Sequence, residues 1–237
     1  MQGNDSLRTA TIYNADLRYE FYPSRSEMIS FGVFGKVFRN AIEQTTLSVA
    51  TEQLNVSFQN AERALDFGGE IEARKSLIDL TENAFLQRIS AVINASFIYS
   101  TVRLSDNARN RDFALNNRPL QGQSPYVVNV GLFYQGEGNG LQVSAQYNVV
   151  GQRIRFVGDL RNNYSIIEMP RHVVDLAVTK GVGEHLQLRL GIQDLLNYRY
   201  RLLYDYDGNS KINGNEDGSF ASYRRGSYST FGLTWTF

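Results

Sequence analysis

Apolar and polar residues alternate with a period of two along most of this chain, which leaves few folds open to it. Tyr13, Ala15, Leu17, Tyr19 and Phe21 are interleaved with Asn14, Asp16, Arg18 and Glu20. Leu141, Val143, Ala145, Tyr147 and Val149 alternate with Gln142, Ser144, Gln146 and Asn148. Leu186, Leu188, Leu190 and Ile192 alternate with Gln187, Arg189, Gly191 and Gln193. Successive side chains of a strand point to opposite faces, so this pattern makes two-faced strands, and helical spacing is nearly absent. Strands are expected at 8–22, 28–39, 54–77, 88–103, 126–134, 141–151, 172–180, 186–196 and 223–237. Within the third, Leu54, Val56 and Phe58 hold one phase and Leu65, Phe67, Ile71 and Ala73 the other. A bulge near Asn60–Arg63 in one long strand is expected to absorb the slip, with a tight turn there as the alternative.

The connections alternate in length. Short turns are expected at 23–27, 136–140 and 181–184, and long polar loops at 40–53, 105–125, 152–171 and 197–222. Short turns at one end and long loops at the other is the layout of a transmembrane β-barrel. A soluble sandwich or lipocalin also alternates, and alternation alone leaves that option open. The last strand weighs against it. Phe231, Leu233, Trp235 and Phe237 occupy every second place, and the chain ends on the aromatic. Such an ending is similar to the assembly signal of bacterial outer-membrane proteins.

Composition narrows function more than fold. The chain has 237 residues, with 24 basic and 24 acidic side chains, so it carries no basic surplus for a nucleic-acid surface. It has no Cys, which removes disulfides, thiolate metal sites and Cys nucleophiles together. No apolar run approaches the roughly 20 residues of a spanning helix. The start, Met1-Gln2-Gly3-Asn4-Asp5-Ser6, lacks the basic and apolar regions of an export signal. The chain is therefore expected either to stay in the cytoplasm or to be a piece without its own signal. No G-x-S-x-G, H-E-x-x-H or Walker loop occurs, and His172 and His185 have no partner motif nearby, so no catalytic residue is expected.

Several segments, in order, resemble the C-terminal β-barrel region of TonB-dependent outer-membrane receptors of the kind found in Bacteroidetes. They are Tyr19-Glu20-Phe21-Tyr22-Pro23-Ser24 with Met28-Ile29-Ser30; Phe34-Gly35-Lys36-Val37-Phe38-Arg39-Asn40-Ala41-Ile42-Glu43; and Asn60-Ala61-Glu62-Arg63-Ala64 leading to Gly68-Gly69-Glu70-Ile71-Glu72-Ala73-Arg74-Lys75. Arg118-Pro119-Leu120-Gln121-Gly122-Gln123-Ser124-Pro125-Tyr126, Asp194-Leu195-Leu196-Asn197 and Tyr223-Arg224-Arg225-Gly226 follow. Ala41 departs from the family, where proline is common at that place.

The resemblance implies an all-β fold: a transmembrane antiparallel β-barrel segment of about nine to ten strands, part of a barrel of about 22. Residues 1–237 would be the C-terminal part, without the plug domain and the first strands. Glu70 and Glu72 share one strand face, where lining the watery interior of a receptor barrel and pairing with Arg74 or with the plug is a simpler role than acid–base work. An odd strand count agrees with a cut, and splitting the third strand would restore an even one. The implied function is receptor and transporter for TonB-dependent uptake of a bulky nutrient: siderophore, cobalamin, glycan or peptide. The implied partners are outer-membrane lipid, the barrel-assembly machinery through the Phe237 strand, the plug, the energy-transducing protein TonB and the unknown nutrient. The implied location is the bacterial cell outer membrane. The alternative is a small stand-alone outer-membrane barrel with a structural or adhesive role.

One loop carries a metal motif. Asp205-Tyr206-Asp207-Gly208-Asn209-Ser210-Lys211-Ile212-Asn213-Gly214-Asn215-Glu216 follows much of the twelve-residue EF-hand loop. Asp205, Asp207, Asn209, Asn213 and Glu216 are the expected oxygen ligands, and Ca²⁺ the expected ion; no cofactor is otherwise required. Ser210 stands where the sharp turn wants Gly, and the flanks read as strands. The competing reading is a solvated Asp/Asn/Gly turn.

Overall fold

The antiparallel pairing written in the alternation is carried out in a nine-stranded sheet, β1-β2-β3-β4-β5-β6-β9-β10-β13. Its strands are β1 (Thr11–Phe21), β2 (Met28–Leu47), β3 (Asn55–Ser76), β4 (Ile89–Arg103), β5 (Tyr126–Gln135), β6 (Gln142–Val150), β9 (Arg171–Val182), β10 (Leu186–Gln193) and β13 (Tyr228–Trp235). The structure, a computed structural model, describes residues 3–47, 55–78, 80–103, 117–138, 140–158, 164–212 and 217–237. The fold is all-β; the one helical piece described is a short 3₁₀ turn at Leu86–Arg88. Among the described residues no helix is long and apolar enough to cross a membrane, which says nothing of crossing by strands.

Register turns alternation into two continuous faces. Tyr19, Phe31, Ile71, Ala95, Val128, Val149 and His172 form one row across seven strands. The neighbouring row, on the opposite face, reads Glu20, Ser30, Glu72, Asn94, Asn129, Asn148 and Val173. The first face is apolar and mostly exposed or half-exposed, with Leu17 at 73% and Phe231 at 68% accessibility and Val149 the buried member of the row. A soluble sheet hides such a face against another layer; here nothing covers it. The polar face is stitched by side chains: Asn148 donates to Asn129 at 2.6 Å, and Arg18 binds Glu72 at 2.7 Å. β1 and β13 pair on one side only, so the sheet is open, with two free edges.

The slip in β3 is real, but no bulge absorbs it. The β2–β3 register runs from Met28↔Arg74 to Leu47↔Asn55 with no shift. Both strands change phase at facing positions instead. Ala61 and Ala64 are buried while Glu62 and Arg63 between them are exposed, and on β2 Asn40 adopts a left-handed backbone, φ 53°, after which buried Ala41, Glu43 and Thr45 take the inner face. Asn tolerates that conformation better than most residues with a Cβ. Asn60 holds the joint by donating to the Asn40 carbonyl at 2.8 Å and to the Arg8 carbonyl at 2.9 Å. The expected loop at 40–53 is therefore mostly strand: β2 runs on to Leu47, because its added residues pair with β3.

A further departure lies in the two long connections after β6 and β10, which are not plain loops. They hold β7 (Arg153–Phe156), β8 (Ser165–Glu168), β11 (Tyr200–Asp205) and β12 (Gly218–Tyr223), paired as a second sheet in the order β12-β11-β8-β7. Accordingly the eighth expected strand stops at Gln193, where Asp194 and Asn197 turn left-handed, and the last begins at Tyr228. This second sheet bonds to the free edge of β2 through Thr46 N–H to the Val157 carbonyl, 2.9 Å, and Val157 N–H to the Gln44 carbonyl, 3.0 Å. Burial concentrates here. Ala41, Ala61, Ala64 and Val102 of the large sheet's inner face meet Ile154, Val157 and Ile167 of the small one. The core of this molecule sits at its loop end, where the inner wall is covered.

Candidate functional site

Two of the segments quoted above for their order, those ending at Glu43 and beginning at Arg118, meet to hold that cover in place. Glu43 and Arg118, 75 residues apart, form a two-pronged ion pair at 2.8 and 2.6 Å, both side chains fully buried. Arg118 also donates to the Pro119 carbonyl at 3.1 Å. The Gln121 amide binds Glu43 at 2.8 Å, and its side chain accepts from the Gln44 N–H at 2.5 Å and donates to the Arg155 carbonyl at 2.6 Å. A buried charge without a partner is costly, so the satisfied pair fixes the geometry in which wall, loop and β7 meet. The backbone joins in: Val102 N–H reaches the Arg118 carbonyl at 2.8 Å and Asn117 N–H the Val102 carbonyl at 3.0 Å.

The other face of the small sheet is aromatic and basic. Tyr204 packs against Tyr206 at 5.4 Å between ring centres and against Phe220 at 5.4 Å; Tyr164 meets Tyr206 edge-on at 4.7 Å. Arg225 lies over the Tyr200 ring at 4.9 Å and Arg155 over Phe156 at 4.6 Å, within cation–π range. Arg153 is held by Glu168 at 2.9 Å. Arg153, Arg155, Arg225, Tyr200, Gln44 and Gln121 line a polar cleft of about 440 Å³. Burial, and then the nearby Glu168 carboxylate, raise the pKa of the Tyr200 hydroxyl above its ordinary value, keeping it protonated as a donor. Such a surface suits a large ligand with both ring and anionic character.

The expected metal residues fare unevenly. Asp205 closes β11 and is completely buried; its Oδ2 accepts from Ser210 N–H at 2.9 Å, and its Oδ1 has no hydrogen-bond partner in the structure. Asp207 lies beside it. Asn209 turns its oxygen to the Lys211 N–H at 2.6 Å and its amide to Asp207 at 2.5 Å, so it bridges the loop instead of facing the cluster. Asn213 and Glu216 lie outside the described residues. The third carboxylate of the cluster is Asp217, one residue past the motif. The β11–β12 pairing Tyr204↔Gly218 carries it to Asp205, and it accepts from Tyr206 N–H at 3.0 Å. Ligand oxygens of Asp205, Asp207 and Asp217 all lie within 4.8 Å of one another. Burial, chiefly, then the Asp207 carboxyl as hydrogen-bonding neighbour and charge, and the charge of Asp217, push the Asp205 carboxyl up to about 6 against the lowering effect of the Ser210 amide.

On the inner wall Glu72 pairs with Arg18 and not with Arg74 as expected. Arg18 also binds Glu20 at 2.7 Å. By register Arg18 lies opposite Gly32 with Glu70 beyond it, and Glu72 stands two residues along β3 opposite Ser30. Arg18 therefore reaches Glu72 diagonally across β2, where Gly32 puts no side chain in the way. Glu70 accepts from Ser96 at 3.3 Å. His172 sits on the apolar face, bonded to the Tyr147 hydroxyl at 2.7 Å, and His185 stacks on Trp235 at the turn end. Sequence reading passed over Glu43, Arg118, Gln121, Arg155, Arg225 and Asp217 as site residues. Glu43, Arg118, Gln121 and Arg225 stand inside segments quoted above for their order, which was the one available signal.

No curated protein matches the sequence. Solved structures do match in fold. A variant of the ferric enterobactin receptor of Pseudomonas aeruginosa is 17% identical with a TM-score of 0.58, covering 98% of this chain and 32% of that one. The ferric yersiniabactin uptake receptor of Yersinia pestis is 15% identical, TM-score 0.61, over 96% of this chain and 30% of that one. The copper transporter OprC is 15% identical, TM-score 0.62, over 99% and 34%. This chain thus spans about a third of the length of the structures it matches. At such identities these likenesses concern the fold alone. The family model described as TonB dependent receptor-like, beta-barrel matches residues 1–195. With that match over most of its length, the chain belongs to the TonB-dependent receptor β-barrel family.

Proposed function

We propose that the chain forms part of the wall and the covered mouth of an outer-membrane receptor that takes up a bulky nutrient with energy delivered by TonB. The observation that carries this reading is the two-faced open sheet, with an uncovered apolar face outside and loops packed over the polar face at one end. The apolar face meets lipid, and the polar face lines the water-filled interior. The free edges of β1 and β13 accept the remaining strands of a barrel of about 22, which favours this reading over a closed nine-stranded barrel. A plug domain, encoded with the rest of the receptor, fills the lumen against Glu70, Glu72 and Arg18. The Phe237 strand serves as the signal to the assembly machinery.

Capture falls to the aromatic and arginine-lined cleft of the small sheet. Passage follows when TonB remodels the plug; no bond is made or broken by this chain. The relatives named as ferric siderophore receptors support a metal chelate as the first nutrient to try, and the cleft's arginines suit an anionic one.

These 237 residues contain no Cys, so in a receptor whose other segments are first cleared of any Cys, engineered thiols report on topology. Lys211→Cys in the loop end and Glu184→Cys in the opposite turn, each in the intact receptor, are exposed to an impermeant maleimide on whole cells. Labelling at 211 alone, with 184 reached only after permeabilisation, is expected; the reverse pattern overturns the orientation. For transport, accumulation of a radiolabelled ferric catecholate, cobalamin and an oligosaccharide is compared in host cells with and without the gene. Loss of energy-dependent uptake of one probe is expected, and unchanged uptake of all three overturns the reading.

A further inference from the structure

The small sheet contains three carboxylates drawn together with one oxygen left over. Asp205 is completely buried, yet its Oδ1 has no hydrogen-bond partner, although a buried polar atom normally finds one. That carboxylate belongs to the group in which Asp205, Asp207 and Asp217 each offer an oxygen within 4.8 Å of the others. Three negative groups so close repel one another unless a positive charge joins them.

We propose that Asp205, Asp207 and Asp217 bind one calcium ion, which locks the β11–β12 hairpin. The spacing admits the ion, and the donor chemistry favours it. Calcium takes oxygens at about 2.3–2.6 Å, so two ligands on opposite sides of it stand about 4.6–5.2 Å apart. A spread of up to 4.8 Å fits inside that shell. Magnesium binds at about 2.0–2.1 Å, needs a tighter octahedron and gives up its waters reluctantly. All three residues offer hard oxygens and no nitrogen or sulfur, which disfavours zinc and copper. The buried Asp205 supplies the fixed anchor. Asp217 is held in place by accepting from Tyr206 N–H, and the more exposed Asp207 leaves one side open to water.

The consequence is local order where the ligand-facing aromatics sit. Tyr206, between two of the ligands, packs on Tyr204 and Tyr164, so an ion that fixes the hairpin also fixes this aromatic face. The site stands apart from the transport reading, since binding of the ion is measured without any nutrient. Affinity in the range of extracellular modules, about 10⁻⁴–10⁻³ M, is expected.

The test uses the intact protein purified in detergent. Tb³⁺ takes calcium sites, and Tyr206 is placed to sensitise its emission. Emission excited through tyrosine should rise with Tb³⁺ and be displaced by Ca²⁺ at sub-millimolar to millimolar concentration. Asp205→Asn and Asp217→Asn should each weaken Ca²⁺ binding at least ~10-fold, and Glu184→Gln in the distant turn should leave it unchanged. Circular dichroism matching wild type keeps a lost signal from being read as misfolding, and the exposed Asp207→Asn serves where the buried variant fails that check. No calcium-displaceable emission in the wild type, or titrations that do not differ in the variants, overturns the proposal. Mg²⁺ displacing as well as Ca²⁺ overturns the choice of ion.

Discussion

Single residues matter most where the chain buries charge. The Glu43–Arg118 pair is the clearest case, because each group is out of water and each is the other's counter-charge. Arg118→Met leaves the Glu43 carboxylate uncompensated and should cost about 3–5 kcal/mol of local stability. Because Gln121 and the Val102 backbone hang on the same pair, the small sheet should detach before the wall unfolds. Limited proteolysis of the intact receptor reads this directly: cleavage within residues 152–171 should speed up while β1–β6 stay protected. If cleavage in that segment keeps its wild-type rate, the pair does not hold the cover. The joint at Asn40 and Asn60 is a second such place. There a backbone conformation that most residues avoid is stabilised by one amide side chain, which reverses the inward phase without breaking the register.

For the strands, each has two solvents to satisfy. Leu190 pairs with Val178 and Phe231 on the apolar face, while its neighbour Arg189 pairs with Thr179 and Gly232 on the polar one. An arginine is thus already tolerated one residue away, provided it points inward. Leu190→Arg should cost about 2–4 kcal/mol near the bilayer midplane and impair assembly, whereas Gln187→Arg on the inner face should be nearly silent. Heat-modifiable migration of the full-length protein distinguishes the two, and equal damage at both positions would reverse the assignment of faces. The hairpins follow ordinary turn chemistry at the short end: Gly183, at φ +67°, reverses β9 into β10 at no steric cost.

At the scale of the whole molecule, the apolar outer face of the large sheet has no layer packed against it, and the sheet has two open edges. Free edges invite strand addition, and an uncovered apolar face invites association. Expressed without detergent, this chain by itself should run as aggregate on gel filtration; a sharp monomer peak with cooperative melting would contradict the membrane reading. Buried structure is instead concentrated at the loop end, which explains how the loops hold a defined surface while the wall depends on lipid and on neighbouring strands.

The nine strands of the large sheet, apart from some of their ends, and its two faces were legible in the sequence, because period two is a local property that each strand expresses by itself. The phase slip near Asn60–Arg63 was legible too. How it is resolved was not, because that depends on Asn40 in the facing strand. β7, β8, β11 and β12 escaped notice for the same reason: four to six residues, bounded by polar turns, become strands only through partners far along the chain. The acidic motif told of Asp205 and Asp207, but the third carboxylate, Asp217, is chosen by the pairing of β11 with β12. Sequence pattern decided what each strand shows to its two sides. Tertiary structure decided which distant residues meet, since hydrogen-bond register and the burial of opposite charges are properties of pairs that no local pattern contains.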